Sequence, residues 1–223
     1  MYYITGASGD GLGFELAKRL IDAGFAVTDL SPNVPEDNRI RHIDLDLTNE
    51  ESIEYVAEQI KNDQKITALI NCAGVITNFN GPSNQRRNEI GRVFKINIEG
   101  PIYLTSLLLD KILLDEADVI SVASSAAVKG VADEQIYAPS KWAVRGHIKC
   151  LQEFFKGKPN RAICFCPGGF QSKFFAKAER ETPDFEQYIP LEDVANLFFQ
   201  IVTSPKTFEL SEIVANRKGV KNV

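Results

Sequence analysis

"ITGASGDGLGFEL", residues 4–16, joins a short apolar run to an amphipathic one. The run that leads into it, "YYIT" at 2–5, reads as a strand. The segment it opens, "FELAKRLIDA", reads as a helix with Phe14, Ala17, Leu20 and Ile21 on one face and Gly24 at the C-terminal cap. Glycines in a first strand-to-helix turn let the backbone approach a pyrophosphate. The helix N-terminus then faces that group with free N–H groups and a partial positive charge. Gly6, Gly11 and Gly13 are the candidates, with Thr5 and Ser8 as hydroxyl donors. Any tight turn favours glycine; the place at the first strand–helix junction is what favours dinucleotide binding.

Working outward, the same alternation continues. Further strands are expected at 25–30, 41–47, 67–73, 117–124, 161–167 and 211–216. Helices are expected at 48–60, where Thr48 and Glu51 form a capping box, in a broken region from 84 to 114, and at 140–156 and 191–203. Strands three to six are apolar enough to be covered on both faces. The expectation is one α/β domain over residues 1–223: a doubly wound, Rossmann-like parallel sheet of about seven strands with helices on both faces.

Composition excludes several classes. The chain has 223 residues, 44% hydrophobic and 25% charged, enough for a real core in a soluble domain. Its net charge is −5 and no Lys/Arg run stands out, so no nucleic-acid partner is expected. The stretch "IYLTSLLLDKILL" is too short and interrupted to span a bilayer, so no membrane association and a cytoplasmic location are expected. Cys72, Cys150, Cys164 and Cys166 form no CxxC pair, and His42 and His147 lack metal-ligand spacing. Buried thiols, and no metal, are the reading.

From the glycine turn onward, the motifs resemble those of the short-chain dehydrogenase/reductase family, in the family's order and over nearly the whole chain. "TGASGDGLG" resembles TGxxxGxG with one more residue before Gly11-Leu12-Gly13. "DLT" at 46–48 matches an aspartate, Asp46 beside Leu47, that caps adenine. "NCAG" at 71–74 matches NNAG and implicates Asn71, Ala73 and Gly74. "INIEG" supplies Asn97. Ser124 lies in the family's serine context ahead of "YAPSK", which is the YxxxK motif with Tyr137 and Lys141. "PGGFQS" resembles PGxxxT, with Pro167, Gly168 and Ser172.

Tyr137 and Lys141, at i and i+4, share a helix face and can act on one object. Pro139 is tolerated in a first turn. An ammonium beside a phenol favours phenolate and is expected to lower its pKa. The resemblance implies that Tyr137 exchanges a proton with a carbonyl or alcohol oxygen and that Ser124 holds that oxygen. It further implies that Lys141 bonds the nicotinamide ribose and that Asn97 positions a water.

The implied cofactor is NADP or NAD. At the end of strand two the decisive position is Ser31, neither acidic nor basic; Asp29 is expected to point elsewhere. With Arg39 and Arg41 near, the balance leans to NADP, while Asp10 argues for NAD. The implied function is interconversion of a small carbonyl compound and its alcohol. A cofactor-binding scaffold and a dehydratase or epimerase are the alternatives. The substrate site falls to the loops at 75–87, 126–135 and about 170–190. There Phe170, Phe174 and Phe175 read more readily as helix packing than as a pocket wall, and Lys129, Lys173 and Arg86 as solvated charges. The resemblance also implies a homodimer or homotetramer through the helices near 90–114 and 140–156.

Overall fold

A computed structural model describes residues 1–77, 87–179, 181 and 183–218. Seven parallel strands form one sheet: β1 (Tyr2–Thr5), β2 (Val27–Ser31), β3 (Arg41–Asp44), β4 (Ala68–Asn71), β5 (Asp118–Val122), β6 (Ala162–Pro167) and β7 (Glu212–Ala215). Their order across the sheet is β3-β2-β1-β4-β5-β6-β7. The chain first winds one way and then the other, so the order reverses between β1 and β4. A crevice opens there, at the carboxyl ends of the strands.

Alternation along the strands builds two cores. Tyr3, Leu69 and Val119 face α2 (Glu50–Lys61), α4 (Gly100–Leu107), α5 (Leu109–Asp115) and α6 (Tyr137–Phe155). Ile4, Ile70, Ile120 and Phe165 face α1 (Leu12–Asp22) and α8 (Leu191–Val202). Period two in the strands and two covered faces give the fully buried patterns of β1, β2, β4, β5 and β6. Cys164 and Cys166 share one face of β6, both buried, with their sulfurs 3.6 Å apart.

Four local expectations are corrected. β3 is not covered on both faces: it is the sheet edge, and its residues are half-buried or exposed. Helix α1 starts at Leu12, so Leu12, Leu16 and Leu20 with Ala17 form its buried face, and Phe14 and Ile21 flank it. The cap of α2 is Asn49, whose side chain accepts the Ser52 N–H at 3.0 Å; Thr48 turns back to the Asp46 carboxylate. Helix α6 begins at Tyr137 rather than 140, because Pro139 lies in the first turn, where a missing N–H removes no helical bond.

The region from 87 to 115 is interrupted as expected. α3 (Arg87–Phe94) runs into a π-helical turn at Lys95–Glu99, then into α4. Gly100, at the start of α4, packs on the loop after β3. A Cβ there would lie 2.4 Å from the Leu47 carbonyl oxygen. Alanine in a helix normally gains up to about 1 kcal/mol over glycine, but overpacking against backbone costs roughly 1–3 kcal/mol. Gly100→Ala is therefore expected to lower stability by about 1–2 kcal/mol, read as a lower urea midpoint. An unchanged or higher midpoint would show that Leu47 is not held by this contact.

Candidate active site

The crevice between β1 and β4 is a cleft of about 780 Å³, within the range of small-molecule sites. The glycine turn forms one wall. Gly6 has φ +76°, and a Cβ on it would stand 2.9 Å from the Ala73 α-carbon; a Cβ on Gly13 would stand 2.6 Å from the Gly6 carbonyl oxygen. Only glycine fits either position. Gly11 precedes α1, and no side chain caps that helix. Its first N–H groups are left for a ligand, and the uncapped terminus favours an anion. Ser8, Gly11 and Leu12 line the same wall. The extra residue in the turn leaves the cleft open.

Thr5 and Asp29 hold this wall from beneath. Thr5 is fully buried and not a ligand donor: its Oγ1 accepts the N–H groups of Cys72 and Ala73 at 3.1 and 3.0 Å, tying β1 to the loop after β4. Asp29, also fully buried, accepts the Ala7 N–H at 2.7 Å and the Ser31 hydroxyl at 2.6 Å, with His42 Nδ1 at 2.9 Å. Burial raises the Asp29 pKa, while its bonds to Ser31, His42 and Ala7 oppose that rise. Asp29 does point elsewhere, into the turn's foundation. Sequence reading missed that role, although Asp29 and Ser31 are two apart on a strand and share a face.

One end of the cleft is lined by Ser31, Asp46 and Leu47. The Asp46 carboxylate accepts the Thr48 N–H at 2.8 Å. Arg39 and Arg41 do not reach this end. Arg39 pairs with Asp37 and Asp22, and Arg41 with Asp63. Ala73 and Gly74 line the floor, but Asn71 does not. Its amide sits in the core below, 3.4 Å from Thr105 and 3.3 Å from Ser121. Burial pushes the Cys72 thiol up to about 12, so it is no nucleophile.

At the other end Ser124, Tyr137 and Lys141 come together. Ser124 ends the loop after β5, and its Oγ accepts the Ala126 N–H at 3.1 Å. Tyr137 is half-buried. Burial pushes its pKa up, a hydrogen bond with Ser124 opposes this, and the Glu134 carboxylate adds to the rise. Lys141 is buried and donates to the Val122 carbonyl at 2.9 Å; burial lowers its pKa to about 8. The expected lowering of the phenol by the lysine is thus corrected. The ammonium turns to Val122, 5.7 Å from the Tyr137 ring centroid, and desolvation dominates both groups. The phenol stays protonated near neutrality. A Cβ on Gly74 would lie 3.1 Å from the lysine nitrogen, so glycine makes room for it.

Asn97 is buried below the cleft. Its amide accepts the Val75 N–H at 2.8 Å and donates to the Val75 carbonyl at 3.0 Å and to Ser140 Oγ at 3.0 Å. The side chain is committed to protein atoms, which makes it a positioning group. Ser140, inside "YAPSK", was passed over in the sequence and is the link from Asn97 to the Tyr137 carbonyl.

Pro167, Gly168 and Ser172 line the far wall. Ser172 Oγ accepts the Phe174 N–H at 3.4 Å, just ahead of α7 (Phe174–Lys177). Phe170, Phe174 and Phe175 face the cleft after all, with the Phe174 ring 5.8 Å from that of Tyr137. Arg86 lies outside the described residues.

A short chain dehydrogenase family model matches residues 1–183. This chain belongs to the short-chain dehydrogenase/reductase family. It is by class an NAD(P)-dependent oxidoreductase. It is 27% identical over 191 residues to the short-chain dehydrogenase/reductase olcF of Penicillium canescens, covering 82% of this chain and 74% of that one. A short-chain dehydrogenase from Sphingobium yanoikuyae in complex with NADPH shares its fold with a TM-score of 0.83 at 16% identity, covering 96% and 86% of the two chains. One from Leptospira borgpetersenii with bound NAD+ has a TM-score of 0.79 at 22% identity, covering 96% and 89%. Among the described residues, no helix of this family member is long and apolar enough to cross a membrane.

The lysine environment makes a stability prediction. Below pH 8 the folded protein carries a charged Lys141 that burial disfavours relative to the unfolded chain; that penalty fades between pH 8 and the ordinary 10.5. Lys141→Met should stabilise the protein at pH 7 by on the order of 2–3 kcal/mol, with the gain shrinking as pH climbs through that window. Denaturant midpoints across pH check it, and a gain that grows with pH would contradict it.

Proposed function

We propose that this protein interconverts a small carbonyl compound and its alcohol. One observation carries the reading. Ser124, Tyr137 and Lys141 share a single cleft with the glycine turn that suits a pyrophosphate. When bound, NAD(P)H supplies the hydride that goes to the carbonyl carbon. Ser124 holds the carbonyl oxygen, and Tyr137 gives it the phenolic proton. Lys141 would bond the nicotinamide ribose and resupply the proton to Tyr137, its pKa of about 8 leaving it charged but ready to donate near neutrality. Asn97 acts through Val75 and Ser140, holding the loop and helix that carry Gly74 and Tyr137. The glycine turn, Ser31, Asp46, Leu47, Ala73, Gly74 and the 167–172 loop would hold the dinucleotide.

Ser31 favours neither cofactor strongly. Its hydroxyl already bonds the buried Asp29 carboxylate, and neither arginine assists, but position 31 itself carries no acidic side chain. We assign both NADH and NADPH as ligands, with NADPH somewhat favoured. Ile90 and Phe94 on α3 and Trp142 and Phe154 on α6 are exposed, which supports a homodimer or homotetramer through those helices.

Titration with NADH and NADPH by nicotinamide fluorescence, then a screen of carbonyl compounds for NAD(P)H oxidation, tests the reading. Tyr137→Phe is expected to cut kcat by roughly 10²–10⁴-fold while leaving the cofactor Kd unchanged. Retained turnover in that variant would remove Tyr137 as the proton donor.

A further inference from the structure

Two lysines reach across the mouth of the cleft. Lys173 Nζ lies 2.7 Å from Asp10 Oδ2, and Lys177 Nζ lies 2.7 Å from Asp10 Oδ1. They stand at i and i+4, one just before α7 and one at its end, so both project from the same side of that turn. All three residues line the cleft. Asp10 belongs to the glycine turn. Lys177 lies directly on that turn: a Cβ added to Gly9 would come within 3.0 Å of its nitrogen. The two ammonium groups hold the Asp10 carboxyl well below the usual carboxylate range.

The lysine side chains are mostly exposed, at 73% and 59%. Exposed ion pairs are weak and screened, so Asp10 gives up its partners easily. A phosphate carries more charge and more acceptor oxygens than a carboxylate, and charge-assisted bonds to it are stronger. The uncapped N-terminus of α1 lies beside the same turn and favours an anion.

We propose that Lys173 and Lys177 are ligands for a phosphate group of the dinucleotide, held in place by Asp10 until the cofactor arrives. The proposal rests on the dinucleotide reading of the cleft. It makes the 170–177 segment part of the cofactor site as well as the substrate site. Phe174, between the two lysines, packs on Tyr137. Capture of the phosphate therefore fixes the wall of the reacting end.

The test is titration of the intact protein with NADH and with NADPH at several salt concentrations, by nicotinamide fluorescence. A Lys173→Gln/Lys177→Gln double variant is expected to bind about tenfold more weakly and with a shallower salt dependence. Circular dichroism confirms its fold. Equal losses for both cofactors identify the pyrophosphate as the ligand, and a loss confined to NADPH identifies its 2′-phosphate; either supports the proposal. Asp10→Asn should bind as tightly as the wild type or more so, since it removes a competing carboxylate. A double variant with wild-type affinity and salt dependence overturns the proposal alone. So does an Asp10→Asn variant weakened as much as the double variant, since Asp10 would then be the group that matters. A wild type that binds neither cofactor overturns the dinucleotide reading and this proposal with it.

Discussion

No side chain fits at position 6. The backbone of β1 leaves the sheet there and passes so close to Ala73 that even a methyl group would collide with its α-carbon. This contact marks the point where the strand order reverses, and the rest of the site depends on it. Thr5, one residue earlier, bonds the same loop through two N–H groups. Asp29 braces the turn from the neighbouring strand. The glycine turn is therefore seated on three strands before any ligand is present. Preorganisation of that kind lowers the ordering cost of binding.

Burial sets the electrostatics at the other end. The simplest expectation for a lysine one turn from a tyrosine is mutual charging, but both groups lie in a poorly solvated place and both move toward their neutral forms. The Val122 carbonyl takes the ammonium, and Ser124 alone supports the phenolate. For the proposed reaction, a phenol that keeps its proton and a lysine near its own titration point would make an acid with a resupply behind it. The Glu134 carboxylate also disfavours the phenolate. The proton that Tyr137 keeps thus follows from desolvation more than from any single contact.

Much of this was legible in the sequence. Strand and helix positions followed from period-two and period-3.6 patterns, because residues buried on both sheet faces are constrained at every position. The juxtaposition of Ser124, Tyr137 and Lys141 followed from motif spacing. The edge character of β3 was not legible, since "RHIDLDL" is apolar enough for either place and strand order is a property of the whole chain. The inward turn of Asn97 was hidden as well. It depends on the π-helical turn at 95–99, whose extra residue per turn rotates the amide onto Val75. The phenylalanine wall was underrated for a related reason. Aromatic spacing on a helix gives a face but not what the face meets.

Position 10 joins these themes. The glycine turn carries one residue more than the family's pattern, and an acidic side chain in such a turn would ordinarily repel the phosphates that the turn serves. Here the chain also places two lysines one turn apart on the opposite wall, and both meet that carboxylate. Neither feature makes physical sense alone: two exposed lysines over a cleft would repel each other, and a lone Asp10 would oppose an anion. Together they neutralise one another while keeping positive charge within reach of the α1 terminus. The turn that departs from the pattern and the segment that covers the reacting end are thus one electrostatic unit, and the cleft can exchange its internal counter-charge for a ligand's.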